Sequence, residues 1–191
     1  MSNKPMKNLL IIISGPSGVG KGTIVRKLLS SGDYALSISC TTRKEREGEV
    51  DGESYFFISH EQFLKTVEEN GFLEYSNHFE NYYGTPRAFV EKQLETHDVI
   101  LEIEVNGALQ VKKSYPDAVL IMILPPDVDA LRSRLIGRGT ESKHEIERRI
   151  SRMEYELSKK DLYDYVLIND DLNGCVARLD SLIKTLKGAN I

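Results

Sequence analysis

An apolar run, Leu9 to Ile13, is followed by Gly15-Pro16-Ser17-Gly18-Val19-Gly20-Lys21-Gly22-Thr23. Then come Ile24, Val25, Leu28 and Leu29 at helical spacing. A short continuous apolar run bounded by a turn signal reads as a buried strand. The order is therefore strand, glycine-rich loop, helix start, the setting that a phosphate-cradling loop needs. Glycines let backbone N–H groups converge on phosphate oxygens without obstruction by a Cβ. The helix N-terminus adds partial positive charge and Lys21 a full one. Gly15 to Lys21 meets the pattern Gly-x4-Gly-Lys, but Gly22 stands where Ser or Thr is expected, with Thr23 one place later. A plain glycine-rich turn would require none of the strand, the helix and the lysine.

The rest of the composition narrows the setting. A chain of 191 residues supports one domain with a full core and small inserted lobes. A net charge of −4 argues against broad binding of nucleic acid or of an anionic membrane. The segment Met1 to Asn8 is polar, and the apolar run after it is too short for a signal sequence or a membrane span. Cys40 and Cys175 are far apart and form neither a zinc pattern nor a disulfide framework. A cytoplasmic location is expected, since a reducing compartment suits isolated thiols. The sequence leaves a homo-oligomer open.

Beyond the first helix, Leu36 to Thr41 alternates with period two and predicts a half-exposed strand. Arg43 to Gly52 reads as a charged loop, Tyr55 to Ser59 as a strand, His60 to Glu69 as a helix and Phe72 to Tyr75 as a strand. Asn81 to Pro86 has turn chemistry. This block, with little continuous apolar sequence, predicts a small lobe inserted between core elements. The core then resumes with a strand over Val99 to Val105, a helix over Gly107 to Lys113 and a buried strand over Val119 to Leu124. Asp127 predicts a helix cap, with Val128, Leu131 and Leu135 facing inward. Gly137 to Thr140 interrupts that helix. Ile146, Ile150, Met153 and Leu157 give the next helical stripe, Tyr165 to Ile168 a last strand, and Val176 to Leu186 a closing helix. Strands alternating with helices imply a parallel sheet covered on both faces, with ligands beyond the carboxyl ends of its strands.

Three constellations could carry chemistry. Glu102 and Glu104 share one side of a strand that is otherwise apolar, which suggests a carboxylate near Mg2+ and its water shell. Of the arginines from 132 to 152, Arg134 and Arg138 share a helix face and flank Gly137 and Gly139. That arrangement predicts a hinged lid bringing positive charge over a migrating phosphoryl group. Arg132, Arg148 and Arg152 read as an ordinary solvated basic face. In the lobe, Arg43 and Arg46 with Tyr55 and Tyr83 suit a second phosphate. Glu74 could accept two parallel N–H bonds, which matches the N1–H and N2–H2 edge of guanine.

At these residues the chain resembles the guanylate kinases. The likeness is carried by Ser14 to Thr23, Ser39 to Arg43 with Arg46 to Gly52, and Phe72 to Tyr75. It continues through Asn81 to Thr85, Leu101 to Glu104, Pro125-Pro126, Gly137 to Glu141 and Val166 to Asp170. The resemblance implies an α/β fold: a P-loop three-layer core with a parallel sheet, an inserted small α+β GMP-binding lobe and a helical lid. It implies a domain over 7–186, with core segments 8–36, 87–128 and 157–188, the lobe at 37–86 and the lid at 129–156. ATP would lie on Gly15, Pro16, Ser17, Gly18, Val19, Gly20, Lys21, Gly22 and Thr23, with Asn169 near the adenine. Ser39, Glu74 and Thr85 would read guanine, and Arg43, Arg46, Tyr55 and Tyr83 would hold the GMP phosphate. Glu102 and Glu104 belong with that site, although many relatives carry Asp at both positions. Lys21, Arg134, Arg138 and Arg149 would act on the transferring group. The reaction implied is ATP + GMP giving ADP + GDP, with dGMP as a further acceptor, in purine nucleotide metabolism and GMP recycling. Mg2+ would come with ATP and be held mainly through phosphates and water near Thr23 and Glu102, because Gly22 lacks the usual hydroxyl.

Two rival readings are separable. Another small-molecule kinase would share the P-loop and lid and differ in the lobe, where Ser39 and Glu74 favour guanine. A protein-binding module derived from this fold would have a degraded P-loop, whereas Lys21 and both key glycines are present.

Overall fold

The computed structural model describes residues 8–78, 80–129, 131 and 143–189. Its centre is a five-stranded parallel sheet in the order β2-β7-β1-β8-β9. The strands are β1 (Leu10–Ser14), β2 (Tyr34–Leu36), β7 (Asp98–Glu102), β8 (Val119–Leu124) and β9 (Tyr165–Ile168). β1 lies in the middle and is buried along its whole length. Its alternation divides the core into two layers. Leu9, Ile11 and Ile13 face helices α1 (Lys21–Leu29) and the last helix, here α6 (Leu172–Ala189), meeting Ile24, Val25, Leu28, Cys175, Leu179 and Ile183. Leu10 and Ile12 face α3 (Arg87–Leu94) and α4 (Val105–Ser114), meeting Val90, Val105, Ala108 and Val111. Both faces of the sheet are thus covered, as predicted. None of the helices in the described residues is long and apolar enough to cross a membrane.

The strand predicted over Leu36 to Thr41 is divided between two sheets. Its first part continues β2, with the Ser37 amide donating to Ile100 O at 2.9 Å. Its second part is β3 (Cys40–Thr41), in a separate four-stranded sheet ordered β4-β3-β6-β5. That sheet joins β4 (Phe56–Phe57), β5 (Phe72–His78) and β6 (Asn81–Pro86). The turn chemistry of Asn81 to Pro86 is overridden: Tyr82, Tyr83 and Thr85 are good strand formers, and pairing with both β3 and β5 settles the matter. Glu80, at φ 44°, carries the local reversal instead. The small sheet has its own core, in which Phe63 of α2 (His60–Glu68) is stacked between Phe72 and Tyr82.

Two further predictions are corrected. β7 ends at Glu102, and Glu104 caps α4, so the pair does not lie along one strand. Both carboxylates face the cleft at the carboxyl end of the sheet instead of the core, which spares them the cost of uncompensated burial. Asp127 does receive the Asp129 amide at 2.8 Å and Leu131 is buried, but Val128 is 40% exposed. Leu135, and the hinge at Gly137 to Thr140, lie outside the described residues. The stripe Ile146, Ile150, Met153 and Leu157 belongs to α5 (Lys143–Ser158), where Met153 packs against Leu131 and Leu157.

Candidate active site

β1 delivers the glycine-rich loop to the carboxyl edge of the sheet. Gly15 adopts φ 146°, and a Cβ there would stand 2.1 Å from Ile123 O of β8. The loop can therefore lie on the neighbouring strand only with glycine at this position. Gly20, at φ 96°, caps α1. Lys21 folds back over the loop and donates to the carbonyls of Gly15 and Pro16, the latter at 3.2 Å. Burial pulls its ammonium below the usual lysine range, while Glu156, Glu102 and Glu104 work in the opposite direction. Asn169 supports the loop from beneath: its amide donates to Val19 O at 2.8 Å, and its main-chain N–H donates to Leu124 O. Val19 is itself buried in the core.

Over this loop lies a cavity of about 330 Å3 lined by Gly15, Ser17 and Lys21, by Glu102 to Glu104, and by one face of α5. That face presents Arg149, Arg152, Met153 and Glu156, at helical spacing. Arg149 reaches Ser17 Oγ at 3.4 Å. Arg152 forms ion pairs with Glu104 and Glu156. Tyr155 donates to Asn106 Oδ1 at 2.7 Å, so α5 is fastened to the first turn of α4.

A second cavity, of about 590 Å3, opens between the small sheet and α4. Its walls include Ser39, Tyr55, Glu74, Tyr83, Glu102 and Glu104. Glu74 arrives there by a bulge. The pairing of β5 with β6 shifts between Phe72 and Glu74, so Leu73 is extra. Phe72 then enters the lobe core, Leu73 the main core, and Glu74 the cavity. Glu74 is buried and receives the Thr85 hydroxyl at 2.6 Å. Burial pushes its carboxyl above the usual range; Thr85 partly counters this, and Glu104 adds to it. The same strand is clasped to α4 by Gln110, whose side-chain amide exchanges two hydrogen bonds with the Tyr75 main chain.

At the rim, Arg43 makes a two-pronged pair with Glu49 at 2.8 and 2.9 Å, and its guanidinium lies 5.4 Å from the Tyr55 ring centre. This hydrogen bonding holds the Glu49 carboxyl down at about 2 and raises Arg43. The Arg46 main chain also donates to Glu49, at 2.8 Å.

The guanylate kinase family model matches residues 7–186. The chain belongs to the guanylate kinase family. The curated guanylate kinase of Caldanaerobacter subterraneus subsp. tengcongensis is 50% identical over 179 residues, 93% of this chain and 87% of that one. Among solved structures, the guanylate kinase of Anaplasma phagocytophilum superposes with a TM-score of 0.75 at 27% identity, covering 95% of this chain and 87% of that one. An uncharacterized protein from Eubacterium ventriosum ATCC 27560 shares the fold at a TM-score of 0.51 and 18% identity, covering 94% of this chain and 99% of that one. This member of the guanylate kinase family is accordingly an enzyme, a nucleotide-binding kinase.

Of the residues singled out from the sequence, the structure brings Ser39, Tyr55, Glu74, Tyr83, Glu102 and Glu104 around one cavity, with Thr85 behind Glu74. Lys21 and Arg149 line the other. Arg43 and Arg46 line neither; Arg43 stands behind Tyr55, and Arg46 is exposed on its loop. Arg134 and Arg138 lie outside the described residues. Sequence reasoning missed Gln110, Gly107, Glu156 and Arg152. Arg152, expected on a solvated basic face, instead lines both cavities and pairs with Glu104 and Glu156, while reading α5 for apolar periodicity hides Glu156.

Proposed function

We propose that the chain transfers the γ-phosphoryl group of ATP to GMP, and to dGMP, giving ADP and the corresponding diphosphate. The observation that carries this reading is the wall that the two cavities share: Glu102, Ile103, Glu104 and Arg152 line both. In-line transfer needs donor and acceptor to meet end to end, and positioning with charge neutralisation does most of the work. ATP lies on Gly15 to Thr23, with its adenine toward Asn169. Lys21 leaves the Gly15 and Pro16 carbonyls for the phosphate oxygens. Arg149, with Arg134 and Arg138 of the lid, neutralises the migrating group.

In the other cavity Glu74 accepts the N1–H and N2–H2 of guanine, an edge that adenine lacks. Ser39 and Thr85 complete the base site. Arg43, Arg46, Tyr55 and Tyr83 hold the GMP phosphate. Segment 37–86 acts as the GMP-binding lobe and 129–156 as the lid, over a core of 8–36, 87–128 and 157–188. The enzyme works in the cytoplasm, in purine nucleotide metabolism and GMP recycling.

The donor chemistry suits Mg2+. Glu102 lies 3.6 Å from where a Cβ on Gly22 would stand, and its carboxylate lines both cavities. The Thr23 hydroxyl receives Arg26 at 3.4 Å. Glu102, through water, and the nucleotide phosphates would hold the ion, with Thr23 at the margin. When bound, Mg2+ supplies positive charge to the phosphate oxygens.

The test is an ADP-release assay with GMP, dGMP, AMP, CMP and UMP as acceptors. Turnover confined to GMP and dGMP is expected. Equal turnover with AMP overturns the reading of Glu74 and with it the assignment.

A further inference from the structure

Arg152 is the one residue of α5, among those described, that lines both cavities. Arg149, Met153 and Glu156 reach the P-loop side only. Its side chain is half-exposed, at 47%, and its guanidinium is held by carboxylates at two points: Glu104 on one branch, and Glu156 Oε1 at 3.3 Å from Nε. Glu104 is the N-cap of α4, yet its side chain makes no capping bond to that helix and turns to Arg152 instead. Glu156 is 6% exposed, and its second oxygen has no hydrogen-bond partner among the described residues.

We propose that Arg152 is a further phosphate-contacting residue of the transfer step, held in store on Glu104 and kept in aim by Glu156. This inference rests on the reading of function above. The two sites meet at the wall where Arg152 stands, so its fork faces the gap between the donor and acceptor phosphates. A phosphate dianion offers that fork more charge and more acceptor oxygens than one carboxylate does, and it matches the planar two-pronged geometry. When the phosphates enter, Arg152 exchanges Glu104 for phosphate oxygens. Glu156, one turn along the same helix, keeps hold of Nε and restricts the swing to the outer nitrogens. Tyr155 on Asn106 keeps α5 seated on α4 while the exchange takes place. Glu156 is on this account a positioning residue, and Arg152 touches the reacting group.

The alternative is a latch that only fastens α5 to α4. The two separate in steady-state kinetics of the whole chain with ATP and GMP varied independently, comparing wild type, Arg152→Ala, Arg152→Lys and Glu156→Gln. A contact to transition-state charge predicts that Arg152→Ala loses about tenfold to hundredfold in kcat. Arg152→Lys, a point charge without the fork, lies between Arg152→Ala and wild type. Added guanidinium ion restores part of the Arg152→Ala rate saturably and leaves wild type unchanged. Glu156→Gln lowers kcat by less than Arg152→Ala does. A folded Arg152→Ala with kcat within twofold of wild type overturns the proposal, as does a large loss that guanidinium does not touch. If the unfolding temperature of Arg152→Ala falls by more than a few degrees, Arg152→Lys carries the test: kcat equal to wild type then overturns the proposal. Failure of the wild type to phosphorylate GMP removes the reading of function, and this inference with it. Turnover by the wild type with an unaffected Arg152→Ala removes this inference alone.

Discussion

Gly107 lies so close to Glu74 that a Cβ there would stand 2.8 Å from Glu74 Oε2 and 3.2 Å from its carboxyl carbon. The base-reading carboxylate assigned to the lobe is thus seated on the bare backbone of a core helix. Gly107→Ala should push Glu74 out of its seat and away from Thr85. The expected result is a rise in KM for GMP of about tenfold or more, the scale of one lost charged hydrogen bond. KM for ATP should hardly move. Steady-state kinetics with each nucleotide varied in turn checks this, and equal shifts in both constants would point to a general loosening of the fold.

Glu74 also sets a pH dependence. Burial raises its carboxyl above the ordinary glutamate value of 4.5. The folded protein therefore holds this proton to higher pH than the unfolded chain does. Ionising the group costs native stability, and that cost appears as pH rises from the ordinary range through the raised value. Guanine recognition by Glu74, as proposed above, needs the opposite state, since only the ionised carboxylate accepts both N–H groups. GMP affinity should accordingly fall as pH is lowered through the raised value, at a pH above the ordinary glutamate range. A profile of KM for GMP against pH in wild type and Glu74→Gln reads this out. The substitution should weaken GMP binding and flatten the profile; the same slope in both would assign the titration elsewhere.

At the far end of the sheet, Asp98 is buried and accepts from the Leu9 main chain and from Lys187, each at 2.8 Å. It ties the entry of β1 to both β7 and the last turns of α6. Asp98→Ala would leave the buried Leu9 amide without its acceptor and the Lys187 ammonium with only Asn8 Oδ1, at 3.3 Å. The expected cost is about 3 kcal/mol of stability. Denaturant unfolding measures it directly, while KM for either nucleotide should be unchanged in the folded fraction, because the active site lies at the opposite edge of the sheet.

The elements differ in how plainly their local sequence announces them. β1 and β8 are legible because a buried parallel strand is a short apolar run with clear ends, and β9, an exposed edge strand, because Tyr165, Val166 and Ile168 are strand formers. The division of Leu36 to Thr41 is not, because period-two alternation is the same whichever sheet a residue joins. Asn81 to Pro86 has the local chemistry of a turn, which gives way to two flanking strand partners. In the site, the P-loop and Glu74 carry their chemistry in residue type. Arg152 was read as a solvated charge, and only packing reveals that it stands between two cavities. Gly107 and Gln110 act through distances across the fold, on Glu74 and on the Tyr75 main chain, and no local pattern announces that.

Gly22 offers the last test. A Cβ at this position would lie 3.6 Å from both carboxylate oxygens of Glu102, an ordinary contact, so Gly22→Ser needs no rearrangement. The added hydroxyl would point into the region where a P-loop Ser or Thr meets Mg2+. In the wild type, on the proposed reading, Glu102 through water and the phosphates hold the ion, with Thr23 at the margin. A further oxygen donor should tighten the metal without altering the nucleotide contacts. Gly22→Ser is therefore expected to stay folded and active, and to lower the Mg2+ concentration for half-maximal rate severalfold. Titrating Mg2+ at saturating ATP and GMP gives the answer. An unchanged midpoint would mean that the ion sits away from the start of α1, and that Glu102 serves the acceptor site instead.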